Sequence, residues 1–110
     1  MREGGEFARV KRDGKRLVKG CLIANWVDLP EGTPPRVGII TSRKLGKAHV
    51  RVRARRLLRE SFRLHQHRLA NPIGLVLIAR DSIRGKKLEG VCRDFLVFLR
   101  TAKLEKTPPP

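Results

Sequence analysis

Arg36-Val37-Gly38-Ile39-Ile40-Thr41-Ser42 runs directly into Arg43-Lys44-Leu45-Gly46-Lys47, and that loop into a basic stretch from His49 to Ala70. The first segment is β-branched enough to predict a strand. The second is a cationic loop around a glycine. In the third, Val50, Ala54, Leu57, Leu58, Ser61, Leu64 and His65 recur every three or four residues, which predicts an amphipathic helix with those side chains inward. Strand, basic loop and long basic helix form the unit around which the rest of the chain must pack.

Downstream, Asn71-Pro72 closes the helix, and the almost wholly apolar run Ile73 to Ala79 reads as a strand covered on both faces. Asp81 or Ser82 can cap the next helix. Leu88, Val91, Cys92, Phe95, Phe98, Leu99 and Ala102 trace that second amphipathic helix. Upstream, Pro30-Glu31-Gly32-Thr33-Pro34-Pro35 is turn chemistry, and Arg16 to Leu29 reads as one strand or two short ones. Glu6 to Arg12, with Phe7 and Val10 at helical spacing and Gly14 as a stop, predicts a short first helix. The order is α-β-β-β-α-β-α, an α+β two-layer sandwich of helices on a small sheet. Residues 1–104 are expected to form one domain and residues 105–110 a flexible Pro-rich tail.

The chain has 110 residues, one domain's worth, and is 40% hydrophobic, too apolar for a disordered basic tail. No apolar run approaches the ~18 residues of a membrane span. The first six residues carry no signal-like apolar stretch. Two cysteines make no disulfide framework. A cytoplasmic protein with reduced thiols and no membrane partner is expected.

Lys and Arg number 26 against 10 Asp and Glu, a formal net charge of +16. Such a field on so small a domain calls for a polyanionic partner, nucleic acid first. The charge is also concentrated: eight basic residues and no acid lie between Ser42 and Arg59. With the apolar stripe inward, Arg55, Arg56, Arg59 and Arg63 fall on the opposite side, with Arg51 and Arg53 flanking. No Glu–Lys pairs at helical spacing relieve the repulsion, so an external anion is needed to do so. Arginine forks grip phosphates bidentately. Val52 interrupts the charged arc, either as an idle exposed residue or as a surface for a sugar or base.

Other chemistry is poorly served. A two-metal nuclease needs clustered carboxylates, but the acids are dispersed and Glu60 alone lies in the basic region, where it is expected to pair with a neighbouring arginine. His65 and His67 fall on different sides of a helix. Cys21 and Cys92 read as small core residues, and Ser42 as a loop cap. Phe62 lies just beyond the edge of the stripe, while Phe95 and Phe98 face the core.

With these residues in place, the chain resembles the protein subunit of bacterial ribonuclease P. The likeness is carried by Arg36 to Ala48, continuing through Val50-Arg51-Val52-Arg53 to Arg55-Arg56-Leu57-Leu58-Arg59-Glu60. These match the family's strand, its S-K/R-K-x-G-K-A loop, its Arg-Asn-Arg signature and its basic helix. Glu6-Phe7, Val10, Gly14 and Leu75 to Arg80 match the flanks. The resemblance implies a mostly antiparallel sheet of about four strands. It implies a division of labour in which the RNA subunit, with Mg2+, cuts the 5′ leader from precursor tRNA, so this chain carries no catalytic residue and requires no protein partner. The catalytic RNA would be gripped by Arg43, Lys44, Lys47, Arg51, Val52, Arg53, Arg55, Arg56 and Arg59. The single-stranded leader would lie between the first helix and the sheet, with Phe7, Lys11 and Trp26 as candidates. Three positions depart from the family: Val52 replaces the signature Asn, Lys11 stands where an aromatic is common, and Asn25 stands near a common Tyr with Trp26 beside it. The alternatives are a non-catalytic ribosomal-type or chaperone-like RNA-binding protein, and a helix-in-groove DNA binder, which the strand before the basic helix disfavours.

Overall fold

The computed structural model describes Val10 and residues 12–106. Four strands form one sheet: β1 (Lys15–Lys19), β2 (Leu22–Asp28), β3 (Arg36–Ile40) and β4 (Ile73–Ala79), in the spatial order β1-β2-β4-β3. The stretch from Arg16 to Leu29 is therefore two strands, an antiparallel hairpin turning at Gly20-Cys21. β2 pairs antiparallel with β4, and β3 pairs parallel with it. The parallel pair needs a long crossover, which is supplied by α1 (Ala48–His65). α1 ends five residues short of Ala70, and residues 66–68 continue as a 3-10 turn. α2 (Leu88–Thr101) completes the helical layer and packs on α1. No helix among the described residues is long and apolar enough to cross a membrane.

One face of the sheet carries Leu22, Ala24, Trp26, Leu75 and Leu77, all buried in the core beneath the helices, with Leu17, Val37 and Ile39 packed against them. From α2 come Val91, Phe95, Phe98 and Leu99, none with any exposed surface. Phe95 links Phe62 to Phe98, and Trp26 meets Phe98 edge to face at 5.2 Å between centroids.

Phe62 corrects the reading of the helix. It is a core residue, whereas Leu64 is 37% exposed. The buried face of α1 is Ala54, Leu58, Ser61 and Phe62. At ~100° per residue that face is turned by roughly 45° from the expected stripe, toward Phe62 and away from Leu64. The larger ring wins the inward place because it has Phe95 to pack on.

Only the end of the expected first helix is described. Val10, Arg12 and Asp13 are helical, and Gly14 N–H donates to the Val10 carbonyl at 2.9 Å, closing the turn where expected. A Cβ on Gly14 would collide with the carbonyls of Val10 and Trp26, so the turn can rest against β2 only as glycine. The expected caps are differently used. Asp81 and Ser82 sit in a separate 3-10 turn, α2 starts after Lys87, and the Ser42 side chain caps nothing. Residues 105 and 106, expected in the tail, are instead tied to the turn after α1. Glu105 bridges to Leu69, and Lys106 N–H donates to the Arg68 carbonyl at 2.7 Å. Residues 107–110 lie outside the described residues.

Candidate nucleic-acid interface

Beyond Ile40 the chain turns once at Arg43–Leu45 before α1 begins. Leu45 is buried and anchors the turn, leaving Arg43, Lys44 and Lys47 exposed around it. Leu45 N–H donates to Ser42 at 3.1 Å and Gly46 N–H to Arg43 at 3.2 Å, so the loop has a defined shape. Lys47 precedes α1, whose first turn holds no acid. The positive end of the helix dipole therefore adds to the cations instead of being neutralised by a side chain.

Along α1, Arg53, Arg55, Arg56, Arg59 and Arg63 are exposed, and Val52 is half-buried among them. Glu60 forms a two-oxygen ion pair with Arg63. The hydrogen bonds from Arg63 hold the Glu60 carboxyl below its ordinary range and raise the guanidinium. The single acid of the basic region thus satisfies Arg63 alone. Arg51 differs from its neighbours. The rotation of the helix carries it toward the core side, where it is half-buried and its Nε has no hydrogen-bond partner among the described residues.

Arg53 was not legible as more than a surface cation. Its Nη2 donates to the Lys86 carbonyl at 2.6 Å, strapping α1 to the segment that leads into α2. From there Lys86 Nζ reaches Asp94 Oδ2 at 2.7 Å, and the same oxygen accepts from Cys21 N–H at 2.9 Å. Burial pushes the Asp94 carboxyl up, but the Lys86 and Cys21 hydrogen bonds outweigh it and hold the group below its ordinary value of 3.8. The Cys21 thiol, by burial first and then by the carboxylate beside it, is pushed up to about 12. It is inert core, as its apolar setting suggested. Gly20, at φ +52°, is required at this turn because a Cβ would overlap the Asp94 carboxylate. Arg80 also donates to the Gly20 carbonyl at 2.9 Å.

The leader-site candidates fare differently. Phe7 and Lys11 lie outside the described residues. Trp26 is corrected: it is 6% exposed, on the helix-covered face and against Phe98, so its ring offers no stacking surface. Strand alternation puts Asn25 on the other face, opposite Val76, together with Val18, Ile23, Val27 and Ile78. Val18 is 42% exposed there, and Arg16 stands beside it. Among the described residues no three His, Cys, Asp or Glu side chains gather as a metal site.

Comparison with known proteins agrees over nearly the whole chain. The family model described as Ribonuclease P matches residues 1–103. The ribonuclease P protein component of Gluconacetobacter diazotrophicus is 32% identical over 103 residues, covering 93% of this chain and 89% of the relative. That of Syntrophomonas wolfei is 34% identical over 104 residues, covering 94% and 87%. Among solved structures, the Staphylococcus aureus RNase P protein superposes with a TM-score of 0.84 at 23% identity over 96% of both chains. The Thermotoga maritima protein does so at 0.79 with 25% identity, over 91% of this chain and 96% of its own.

Proposed function

The chain belongs to the ribonuclease P protein family, and from that premise we propose that it binds the catalytic RNA of the particle and assists removal of the 5′ leader from precursor tRNA. The observation that carries this reading is the row of exposed cations from Arg43 to Arg59, with no acid among them, on a fold shared with that family. Arg55, Arg56 and Arg59 with Arg43, Lys44 and Lys47 contact RNA phosphates. Arg53 does so while bracing the helix. Arg51 and Val52 line the edges of the same surface. The chain supplies position and charge, and the RNA supplies catalysis. Mg2+ belongs with the RNA, since the dispersed acids of this chain do not fit a site for it. The leader lies on the sheet face opposite the two helices, where Arg16, Val18 and Ile23 take the place proposed for Trp26, and Phe7 and Lys11 are further leader contacts from the sequence. The compartment is the cytoplasm, and the particle needs no second protein.

Reconstituted cleavage tests this. The chain is mixed with a bacterial ribonuclease P RNA and a precursor tRNA at low magnesium, where the RNA alone is slow. Protein-dependent cleavage at the mature 5′ end is expected. Tight RNA binding with no gain in cleavage would overturn the subunit role and leave a general RNA-binding protein.

A further inference from the structure

Two segments far apart in sequence are strapped together at the start of α1, in both directions. Arg84 Nη2 donates to the Lys44 carbonyl at 3.2 Å, and Arg53 Nη2 donates to the Lys86 carbonyl at 2.6 Å. Between the straps lies a cleft of about 340 Å³. Its apolar surface is Val50, with the buried Ala54 and Ile83 beneath, and its polar wall is His49, Arg53 and Arg84. No Asp or Glu among the described residues lines it.

A guanidinium carries five N–H donors. Each strap uses one group of its arginine on a carbonyl, which fixes the fork in place and leaves the rest of it to receive an anion. Oriented forks lose less freedom on binding than loose surface arginines. The cleft lies at the small end of ligand pockets, roughly 300–1,000 Å³. That is too narrow for a duplex and suited to a single phosphate with its sugar and base. Val50 beside two arginine forks offers a sugar and base an apolar contact that a bare anion does not use.

We propose that this cleft receives one unpaired nucleotide of the RNA partner, its phosphate held by Arg53 and Arg84 and its sugar and base on Val50 and the aliphatic stems of the two arginines. Only the identity of that RNA rests on the ribonuclease P reading. Arg84 thereby joins the interface from outside the basic helix and loop. The interface gains a pocket where the helix alone would present a convex ridge.

The test is a titration of the isotope-labelled full chain with adenosine 5′-monophosphate, adenosine and inorganic phosphate, followed by the backbone amides of His49, Val50, Arg84 and Gly85. Saturating shifts with the nucleotide, and much weaker ones with adenosine or phosphate, are expected. Arg84→Gln should weaken nucleotide binding about tenfold, as loss of a charge-assisted fork contact does. It should weaken binding of a ribonuclease P RNA to a similar extent. Lys87→Gln, which removes the same charge from a nearby exposed side chain, should leave nucleotide binding unchanged. Static amides with the nucleotide overturn the proposal. So does an equal response to phosphate, which would mark an anion site without nucleotide recognition, or an equal effect of the two variants, which would mark bulk charge. Failure of the RNA to bind the wild-type chain would overturn the ribonuclease P reading, and the nucleotide titration would still decide the cleft.

Discussion

The two long helices lie in one layer on the same sheet, yet they are built to opposite plans. α2 turns four side chains without exposed surface into the core, two of them phenylalanines, and commits its aspartate to the hairpin turn. α1 buries Ala54, Leu58, Ser61 and Phe62, a face of less volume, and spreads arginines over the rest. At ~25 cal/mol per Å² of apolar surface, α2 contributes more to folding and α1 less. α1 tolerates this because α2, the sheet and the Arg53 strap hold it in position. Its sequence is therefore free to serve a partner, and its unrelieved positive charge costs stability until an anion arrives. One helix specifies the fold and the other spends what the fold provides.

That contrast is open to attack at several points. Phe98→Ala removes the ring on which Trp26 and Phe95 pack and should cost about 3–5 kcal/mol, read from urea unfolding. Destabilisation below 1 kcal/mol would mean that α2 is not the dominant anchor. On the α1 side, contact with about six phosphates predicts that RNA affinity falls by ~10³ between 50 and 200 mM salt. A flat salt response would dissolve the contrast from the other direction.

Asp94→Asn should cost about 1–3 kcal/mol near neutral pH, since a buried amide N–H and Lys86 lose a charged acceptor. Because the folded carboxyl titrates below its ordinary value of 3.8, its contribution is present above that value and is lost as pH falls through the lower folded one. The difference between variant and wild type should accordingly shrink in acid. A gap that persists at the lowest accessible pH would assign the effect to shape.

Arg53→Ala sits on the border between the two plans. The basic pattern of the sequence predicts weaker RNA binding with an intact fold. The strap to Lys86 adds a stability loss of about 1 kcal/mol, so calorimetry and RNA titration should both move. An effect on RNA alone would mean that the strap contributes nothing. Val52→Asn should have the smallest effect: unchanged stability and an RNA affinity raised by no more than about threefold. A larger gain would show that the missing amide had been limiting the interface.

The parts of the fold that depend on local periodicity are readable from the chain alone. The β-branched run at residues 36–40, the apolar run at 73–79 and the spacing from Leu88 to Leu99 each point to one element, and each is found there. The basic surface is equally plain, because charge without acids is a property of composition and order. What escapes the sequence depends on who packs against whom. Phe62 and Leu64 compete for one side of α1, and only Phe95 decides between them. Trp26 could have faced either way until its register against Leu75 was fixed. Nothing in the spacing of Arg53, Lys86, Asp94 and Gly20 announces a connected network, since it joins α1, the approach to α2 and a hairpin that meet only after folding.

Trp26 has a further use. The chain contains one tryptophan and no tyrosine, so nearly all its near-ultraviolet emission comes from a single indole packed edge to face on Phe98. That fluorophore lies in the layer between sheet and helices, away from the outer face of α1. It should report melting of the core with a large change in intensity and wavelength, and stay dark to anything docking on the arginine face. The molecule thus carries an optical gauge of its own folding, against which RNA binding must be read by a second, independent signal.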